Sequence, residues 1–495
     1  MLLVMGVSLY TSRVVLEILG IDDFGIYQTV GGIVGMLAFI NSALSTGISR
    51  FLTYGLGQND PEKLKRTFST SVTIQLILCL LILIGAETVG LWFVYHKLEI
   101  PNGSITATVW AYQTSIIATV FSMVSVPYMA SIISHEKMSV FAYIGIFEVF
   151  AKLGIVYLLT IGNINKLILY SILMMGIHFM ILSLAWLYCK KNFSETNYCF
   201  LLDKPILKEI AGFSGWSLFA ASSIALNNQG VLVLLNMFFS PAVVTARAIS
   251  LQVNNAANQF VNNFRTAVNP QIIKLYAAGD FASSKSLLLN STKFSFYLMF
   301  ILSLPICMAA RPLLKFWLKD VPDYTVIFLQ LVVIQSLFQV FDTSFYTALY
   351  AKGDLKANAL ISPTIGFIVF PIVYILFKLG FSPVSLSWAT LIMYAILGTI
   401  VKPILIIKIV NYTWKDIFSV YIPCAKVCLV AIPLTVIAIQ YIHLGNFMML
   451  LVTTLISTTI CSFSIYMFGL DNVMRTRVNN VIKDMMNNIF IGKKI

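Results

Sequence analysis

The stretch PAVVTARAISLQVNNAANQFVNNFRTAVNPQIIKLY, residues 241–276, decides how the whole chain is interpreted. At about 1.5 Å per residue it is long enough to cross a bilayer as an α-helix. At roughly 100° per residue, its polar side chains gather on one helical face. They are Arg247, Gln252, Asn255, Asn258, Gln259, Asn262, Asn263, Arg265 and Asn269. Unsatisfied polar groups are costly in lipid, so this face must contact protein or a water-filled cavity.

The composition indicates that most of the chain lies in a lipid bilayer. Hydrophobic residues make up 59% of the 495 residues and charged residues only 11%, against about 25% charged in a soluble domain. Apolar windows of roughly 19 residues or more run over 1–19, 26–48, 68–94, 105–133, 138–160, 167–189, 209–238, 241–269, 286–310, 324–350, 357–378, 384–408, 418–441 and 446–468. The sequence therefore predicts an all-α polytopic membrane protein with about 14 transmembrane helices.

The distribution of lysine and arginine predicts the orientation. With the N-terminus inside, the connections on that side and the C-terminal tail hold 23 of the 33 basic residues, and the opposite side holds 6. The positive-inside rule then places both termini in the cytoplasm. The net charge of +13 is thus a signal of topology, and no nucleic-acid partner is needed to explain it.

An internal repeat appears when the chain is shifted by 222 residues. RFLTYGLGQNDPEKLKRTFST (50–70) then aligns with IIKLYAAGDFASSKSLLLNST (272–292). The shift spans six helices, an even number, so both copies have the same orientation in the membrane. This organisation is typical of two-lobed transporters. The predicted parts are six-helix lobes at 1–190 and 205–408, helices 13 and 14 at 411–470, and a cytoplasmic amphipathic tail at 471–495.

Nothing in the sequence predicts catalysis, a metal site or a cofactor. The seven cysteines show no zinc or disulfide spacing, and the four histidines form no cluster. His178 alone lies in the middle of an apolar window, where a structural role is the favoured interpretation. No G-x-x-x-x-G-K-[ST] loop is present, so direct use of ATP is not expected.

The segment SLYTSRVVLEILGIDDFGIYQTVGGIVGMLAFINSALSTGISRFLTYGLG (8–57), with NPQIIKLYAAGD (269–280) and GDL (353–355), resembles bacterial polysaccharide-export flippases. These are the O-antigen and lipid-linked oligosaccharide flippases of the superfamily that also contains multidrug and toxin extrusion (MATE) antiporters. The resemblance implies transport of undecaprenyl-pyrophosphate-linked oligosaccharide, a lipopolysaccharide or capsule repeat unit, across the bacterial inner membrane by alternating access. A polysaccharide polymerase or ligase is a possible partner.

The resemblance also implies that cationic side chains on helices 1, 2 and 8 bind the pyrophosphate. The candidates are Arg13, Arg50, Arg247 and Arg265. For Arg50, an ordinary role as a cytoplasmic anchor stays open. Arg13 with Glu17, and Glu148 with Lys152, are spaced i,i+4, so each pair can neutralise itself on one helix.

Amide side chains on helix 8 are the candidates for binding sugar hydroxyls, because an amide both donates and accepts hydrogen bonds. The amides chosen are Asn255, Asn258, Gln259 and Asn262, with Asn41, Ser45 and Ser49 on helix 2 and Asn227, Asn228 and Gln229 on helix 7 as further candidates. The alternative role, hydrogen bonding between helices, stays open. Asp342 in helix 10 is expected to be an unpaired acid, either a coupling-ion site or a structural group.

Two other functions compete with the flippase. A cation-coupled multidrug antiporter would need acidic groups in its cleft, whereas the helix 8 face is cationic and rich in amides. A membrane-embedded glycosyltransferase or polymerase would use an acidic pair such as Asp22-Asp23, but no large external domain follows that pair. The flippase is therefore favoured, and the protein is not expected to be an enzyme.

Overall fold

The computed structural model describes residues 2–37, 48, 51–52, 56, 60–101, 103–135, 137–160, 165–201, 203–354, 356–440, 445–472, 474–476 and 479–480. Every regular element within these residues is helical, and none of them is in a strand. The predicted all-α class is therefore confirmed. Arg50, Asn41, Ser45 and Ser49, and most of the predicted tail, lie outside the described residues.

The long helices are numbered here in chain order. They are α1 (Leu2–Leu19), α2 (Ile21–Leu37), α3 (Pro61–Gly85, continued by Ala86–Gly90 and Leu91–His96), α4 (Ile105–Ser134), α5 (Met138–Leu158), α6 (Lys166–Asn192), α7 (Lys204–Ala225, continued by Leu226–Gly230 and Val231–Phe238), α8 (Pro241–Ala277), α9 (Phe281–Met308), α10 (Thr325–Lys352), α11 (Lys356–Lys378), α12 (Ser385–Ile396, continued by Leu397–Val401 and Lys402–Val410), α13 (Trp414–Gln440) and α14 (Asn446–Ser464, continued by Ile465–Gly469). A short helix, Ala310–Trp317, joins α9 to α10.

These helices coincide with the predicted apolar windows. Ten of them within the described residues, α3 to α6 and α9 to α14, are long and apolar enough to cross a membrane. The other four predicted windows fall on α1, α2, α7 and α8. Helix α8 extends over 37 residues and is the least apolar of the four, because its polar face lowers its hydropathy. The chain is a multi-pass membrane protein.

Aspartate side chains cap the starts of three helices. Asp60, Asp203 and Asp280 accept hydrogen bonds from backbone N–H groups at the starts of α3, α7 and α9, at 3.0, 3.3 and 3.0 Å. These bonds satisfy donors that a helix start leaves unpaired. At Asp280 the hydrogen bond from the Ser283 backbone N–H lowers the pKa of the carboxyl, because it stabilises the charged form.

Four helices contain a π-helical turn. The turns are Ala86–Gly90 in α3, Leu226–Gly230 in α7, Leu397–Val401 in α12 and Ile465–Gly469 in α14. A π turn inserts an extra residue, so the side chains after it are rotated by roughly 100° from the face that a regular helix would give them. Sequence periodicity alone does not predict this change.

The described chain divides into two compact units. The first comprises Met1–Gln252, Leu318–Phe328 and Lys356–Met393, and the second Val253–Trp317, Leu329–Leu355 and Tyr394–Ile495. In the first unit α4 packs along α6, α2 packs on α4, and α7 packs on α11. In the second, α9, α13 and α14 pack against one another. The predicted lobes at 1–190 and 205–408 stay a prediction.

Gly25 permits a close approach between α2 and the start of α8. A Cβ atom added at Gly25 would lie 2.1 Å from the Pro241 carbonyl oxygen and 2.8 Å from Thr245 Oγ1. The contact includes backbone, which a rotamer change cannot relieve, so we expect Gly25→Ala to destabilise the protein by about 1–3 kcal/mol. Thermal unfolding in detergent tests this. Gly145→Ala is the matched control, because its added Cβ meets nothing within 4 Å; equal melting temperatures for the two variants would contradict the expectation.

Candidate functional site

The exposed side of α8 carries a continuous row of amides. Asn255, Asn262 and Asn263 are exposed, and Gln259, between them, donates Nε2–H to Asn263 Oδ1 at 3.2 Å. The opposite side of the helix is apolar and buried, with Ala257 and Val261 at 5% and 2% exposure. We call Asn255, Gln259, Asn262 and Asn263 the amide row. Helix α8 therefore has the two faces that its sequence predicts.

Two other amides of α8 turn toward α10 instead. Asn258 donates Nδ2–H to Ser336 Oγ at 3.1 Å, and that hydroxyl donates to Asn254 Oδ1 at 2.8 Å. Asn258 also donates to the Asn254 carbonyl oxygen at 3.0 Å. Here the alternative role applies, because these groups hydrogen-bond two helices together. Asn258, predicted to bind sugar, is thus occupied by contacts within the protein.

Arg265 lies two residues after the end of the amide row and is partly buried. It donates an Nη2–H to the Thr343 carbonyl oxygen of α10. Its Nε–H has no acceptor among the described residues. The neighbouring Asp342 interacts electrostatically with Arg265. Arg265 is therefore held in place through one end of its guanidinium group.

Asp342 has a counter-ion, contrary to the expectation that it is unpaired. Lys402 Nζ lies 3.3 Å from Asp342 Oδ1 and 5.4 Å from the centre of the Tyr346 ring. The Lys402 side chain is 3% exposed and that of Asp342 16%. Lys402 is one of the 23 basic residues that the sequence places on the cytoplasmic side, but the π turn Leu397–Val401 immediately before it changes the face on which it lies. Its position within the apolar window 384–408 was the signal that could have revealed it.

Arg265, Lys402 and Asp342 together form a cluster with an excess of positive charge. Two cations face one carboxylate, so the cluster carries a formal charge of +1. Charged groups among membrane-spanning helices are expensive and are typical of functional positions. The arrangement favours binding of an anionic group close to Arg265.

Arg247 has a different environment from Arg265. Its side chain is buried, at 3% exposure, in the first unit. Nη1 donates to Ser387 Oγ at 3.1 Å, and Cζ lies 5.9 Å from the centre of the Phe328 ring. Its planar group is thus packed between protein groups, as guanidinium groups often are. Its predicted contact with substrate stays untested.

The two predicted intrahelical ion pairs have opposite outcomes. Lys152 Nζ contacts Glu148 Oε1 at 2.6 Å, as their spacing predicts. Glu17 instead lies 3.5 Å from Lys319 Nζ, and no ion pair joins it to Arg13. Both side chains of the Glu17–Lys319 pair are largely exposed, so the pair contributes little to stability. Arg13 lies partly exposed on α1.

The amides of α7 also serve the packing of helices. Asn227 donates Nδ2–H to the Gly366 carbonyl oxygen at 3.1 Å, which joins α7 to α11. Gln229 approaches α2, where a Cβ added at Gly35 would lie 3.3 Å from its Cγ. Asn228 is exposed. Of the three residues, Asn228 alone presents its amide outward.

No protein-family model and no curated protein sequence matches the chain. Among solved structures, the lipid II flippase MurJ in an inward closed conformation matches with a TM-score of 0.69 at 13% identity, over 94% of this chain and 99% of that one. An inward-facing multidrug resistance MATE transporter of the MOP superfamily matches with a TM-score of 0.64 at 13% identity, over 82% and 96%. The chain shares the fold of these two proteins.

A third structure with this fold is the MATE multidrug transporter DinF-BH in complex with R6G. Its TM-score is 0.54 at 17% identity, over 82% of this chain and 95% of that one. The same fold is thus common to a lipid II flippase and to multidrug transporters, so it does not identify the substrate. The predicted fold is therefore confirmed, and membership of the superfamily stays a prediction. The choice between a flippase and a multidrug antiporter therefore depends on the side chains of the candidate site.

Proposed function

We propose that the protein is a flippase for undecaprenyl-pyrophosphate-linked oligosaccharide, an O-antigen or capsule repeat unit. It would move this substrate from the cytoplasmic to the periplasmic leaflet of the bacterial inner membrane, with both termini in the cytoplasm. The observation that carries the proposal is on α8. There the accessible amide row ends next to Arg265, which belongs to a cluster with excess positive charge.

The chemistry of the substrate matches the two parts of this surface. A pyrophosphate carries at least two negative charges, and the planar fork of an arginine binds phosphate oxygens through two parallel hydrogen bonds. The Arg265 Nε–H has no acceptor among the described residues but is buried, so the helices around it would have to separate before it could donate to a phosphate oxygen. Sugar hydroxyls would exchange hydrogen bonds with Asn255, Gln259 and Asn262, while the polyprenyl chain stays in lipid.

The exposed amides of α8 require a water-filled path beside them. The amide row is accessible, and amides facing lipid tails would lose their hydrogen bonds to water at a cost of several kcal/mol each. Access to water from alternate sides, by rocking of helical bundles, is a recurring plan among transporters. We therefore infer that the oligosaccharide moves along this path by alternating access.

A cation-coupled multidrug antiporter is the second candidate. The MATE structures that share the fold favour it, and so does a buried carboxylate in α10. The excess positive charge around Asp342 opposes it, because it would repel a cationic drug. The lipid-linked anion is therefore the better match to the cluster.

Deletion of the gene in its host tests the proposal. We expect surface glycan to be lost and the lipid-linked oligosaccharide to accumulate in the cytoplasmic leaflet, shielded from a glycosidase or lectin confined to the periplasm. Complementation with the wild-type gene is the control. If the intermediate reaches the periplasm normally while dye or drug efflux falls, the antiporter replaces the flippase as the function.

A further inference from the structure

A polar cavity lies inside the first unit, between α2, α4 and α6. Its volume is about 180 Å³. Most of its polar lining consists of hydroxyl groups, and its single imidazole belongs to His178. The polar residues that matter here are Tyr27, Ser115, Thr119, Ser122, Ser171 and His178. None of the functional assignments above uses this cavity.

The hydroxyls leave the cavity rich in hydrogen-bond acceptors. Ser115 Oγ donates its proton to the Ala111 carbonyl oxygen at 2.7 Å, and Ser171 Oγ donates to the Ile168 carbonyl oxygen at 2.9 Å. Each oxygen keeps its lone pairs for another donor. A polar cavity of this size holds several waters, at about 30 Å³ each. The cavity therefore offers acceptor oxygens and room for water beside His178, among apolar side chains such as Val34 and Met174.

The charged groups nearest to His178 are one ion pair, in which Lys152 opposes a proton on the imidazole and Glu148 favours it. On α5, Glu148 and Lys152 form an ion pair at 2.6 Å, and both interact electrostatically with His178. The lining groups from α4 are neutral, and α2 contributes Tyr27, whose ring lies edge-on to that of Tyr170 at 4.7 Å. On α1, Arg13 and Glu17 do not contribute to the charge interactions of His178. A proton on His178 would thus change the local charge from about zero to +1.

We propose that His178 binds a proton in this cavity and that the proton is released again as the transporter changes state. Hydronium in the cavity would transfer its proton to the free ring nitrogen, giving imidazolium and water, and the acceptor oxygens would stabilise that ion through water. Histidine is the side chain whose charge ordinarily changes between pH 5 and 8. Asp342, by contrast, already has Lys402 as a counter-ion. The His178 site does not depend on the identity of the transported lipid.

Nitrogen NMR of the full protein in lipid nanodiscs, labelled at its four histidines with ¹⁵N, tests proton binding directly. The His178 signals are those that vanish in His178→Gln. We expect them to shift from neutral imidazole to imidazolium between pH 8 and 5.

Thr119→Val removes a cavity hydroxyl and keeps the imidazole. It should lower the titration midpoint of His178 by about half a pH unit or more, because the imidazolium ion is less well hydrated. Signals of neutral imidazole throughout the range, or a midpoint unchanged in Thr119→Val, would overturn the proposal.

Export by cells at external pH 6 and pH 8 tests the role of that proton in transport. We expect His178→Gln to remove at least half of the difference in export rate between the two pH values. His96→Gln is the matched control, because His96 is exposed, and it should leave the difference unchanged. An unchanged pH profile in His178→Gln would overturn the transport role. Failure of the proposed flippase function is distinguishable, since deletion would then leave glycan export intact while the NMR titration is still observed.

Discussion

Arg265→Ala is expected to abolish export of lipid-linked oligosaccharide while the protein remains in the membrane in normal amounts. The substitution removes the cation next to the amide row and leaves the Asp342–Lys402 pair at 3.3 Å, so the remaining buried charges balance. Loss of one partner of a close charged contact costs about 2–5 kcal/mol, or roughly thirtyfold or more in binding. The measurement is the amount of surface glycan per unit of protein in the membrane.

Arg265→Lys separates the geometry of the group from its charge. Lysine keeps the charge but has no planar fork, so we expect export to fall by less than in the alanine variant. Arg311→Ala is the matched control, because Arg311 is an exposed arginine in the short helix after α9. Full export by Arg265→Ala would remove Arg265 from the site and with it the main support for an anionic substrate.

Helix α8 shows which parts of the site the sequence can predict. Its length, its buried apolar face and its exposed amides follow from periodicity, because a regular helix fixes the direction of each side chain. Asn258 was predicted to bind sugar from the same periodicity. It bonds to Ser336 because α10 packs beside it, and the pattern of one helix does not say which neighbour covers it.

Lys402 and Glu17 make contacts that helical spacing alone does not predict. Lys402 follows a π turn that shifts the helical register, and no residue pattern in α12 predicts that turn. Glu17 pairs with Lys319, which is 302 positions away, instead of with Arg13 on its own helix. The i,i+4 rule gives only a few tenths of a kcal/mol per pair, so tertiary packing readily overrides it. Spacing succeeded for Glu148 and Lys152, which contact each other within α5.

Lys402→Met is expected to be the most destabilising substitution at the charged cluster. It leaves the Asp342 carboxylate, 16% exposed, without its lysine among membrane-spanning helices. Removal of one partner of a buried ion pair costs about 3–5 kcal/mol. We expect a large fall in the melting temperature measured in detergent. Export should fall as well, because Arg265 would become the main counter-ion of Asp342 and would be less available to a phosphate.

The double variant Asp342→Asn with Lys402→Met distinguishes a structural counter-ion from a charge that transport needs. Replacing both charges removes the cost of an unpaired one, so the melting temperature should return close to that of the wild type. A double variant as unstable as Lys402→Met would contradict a buried pair. If the stable double variant also exports glycan, Asp342 serves to neutralise Lys402. If it is stable but inactive while Arg265 is intact, loss of packing is excluded as the cause, and the charge of Asp342 or of Lys402 is needed for transport itself.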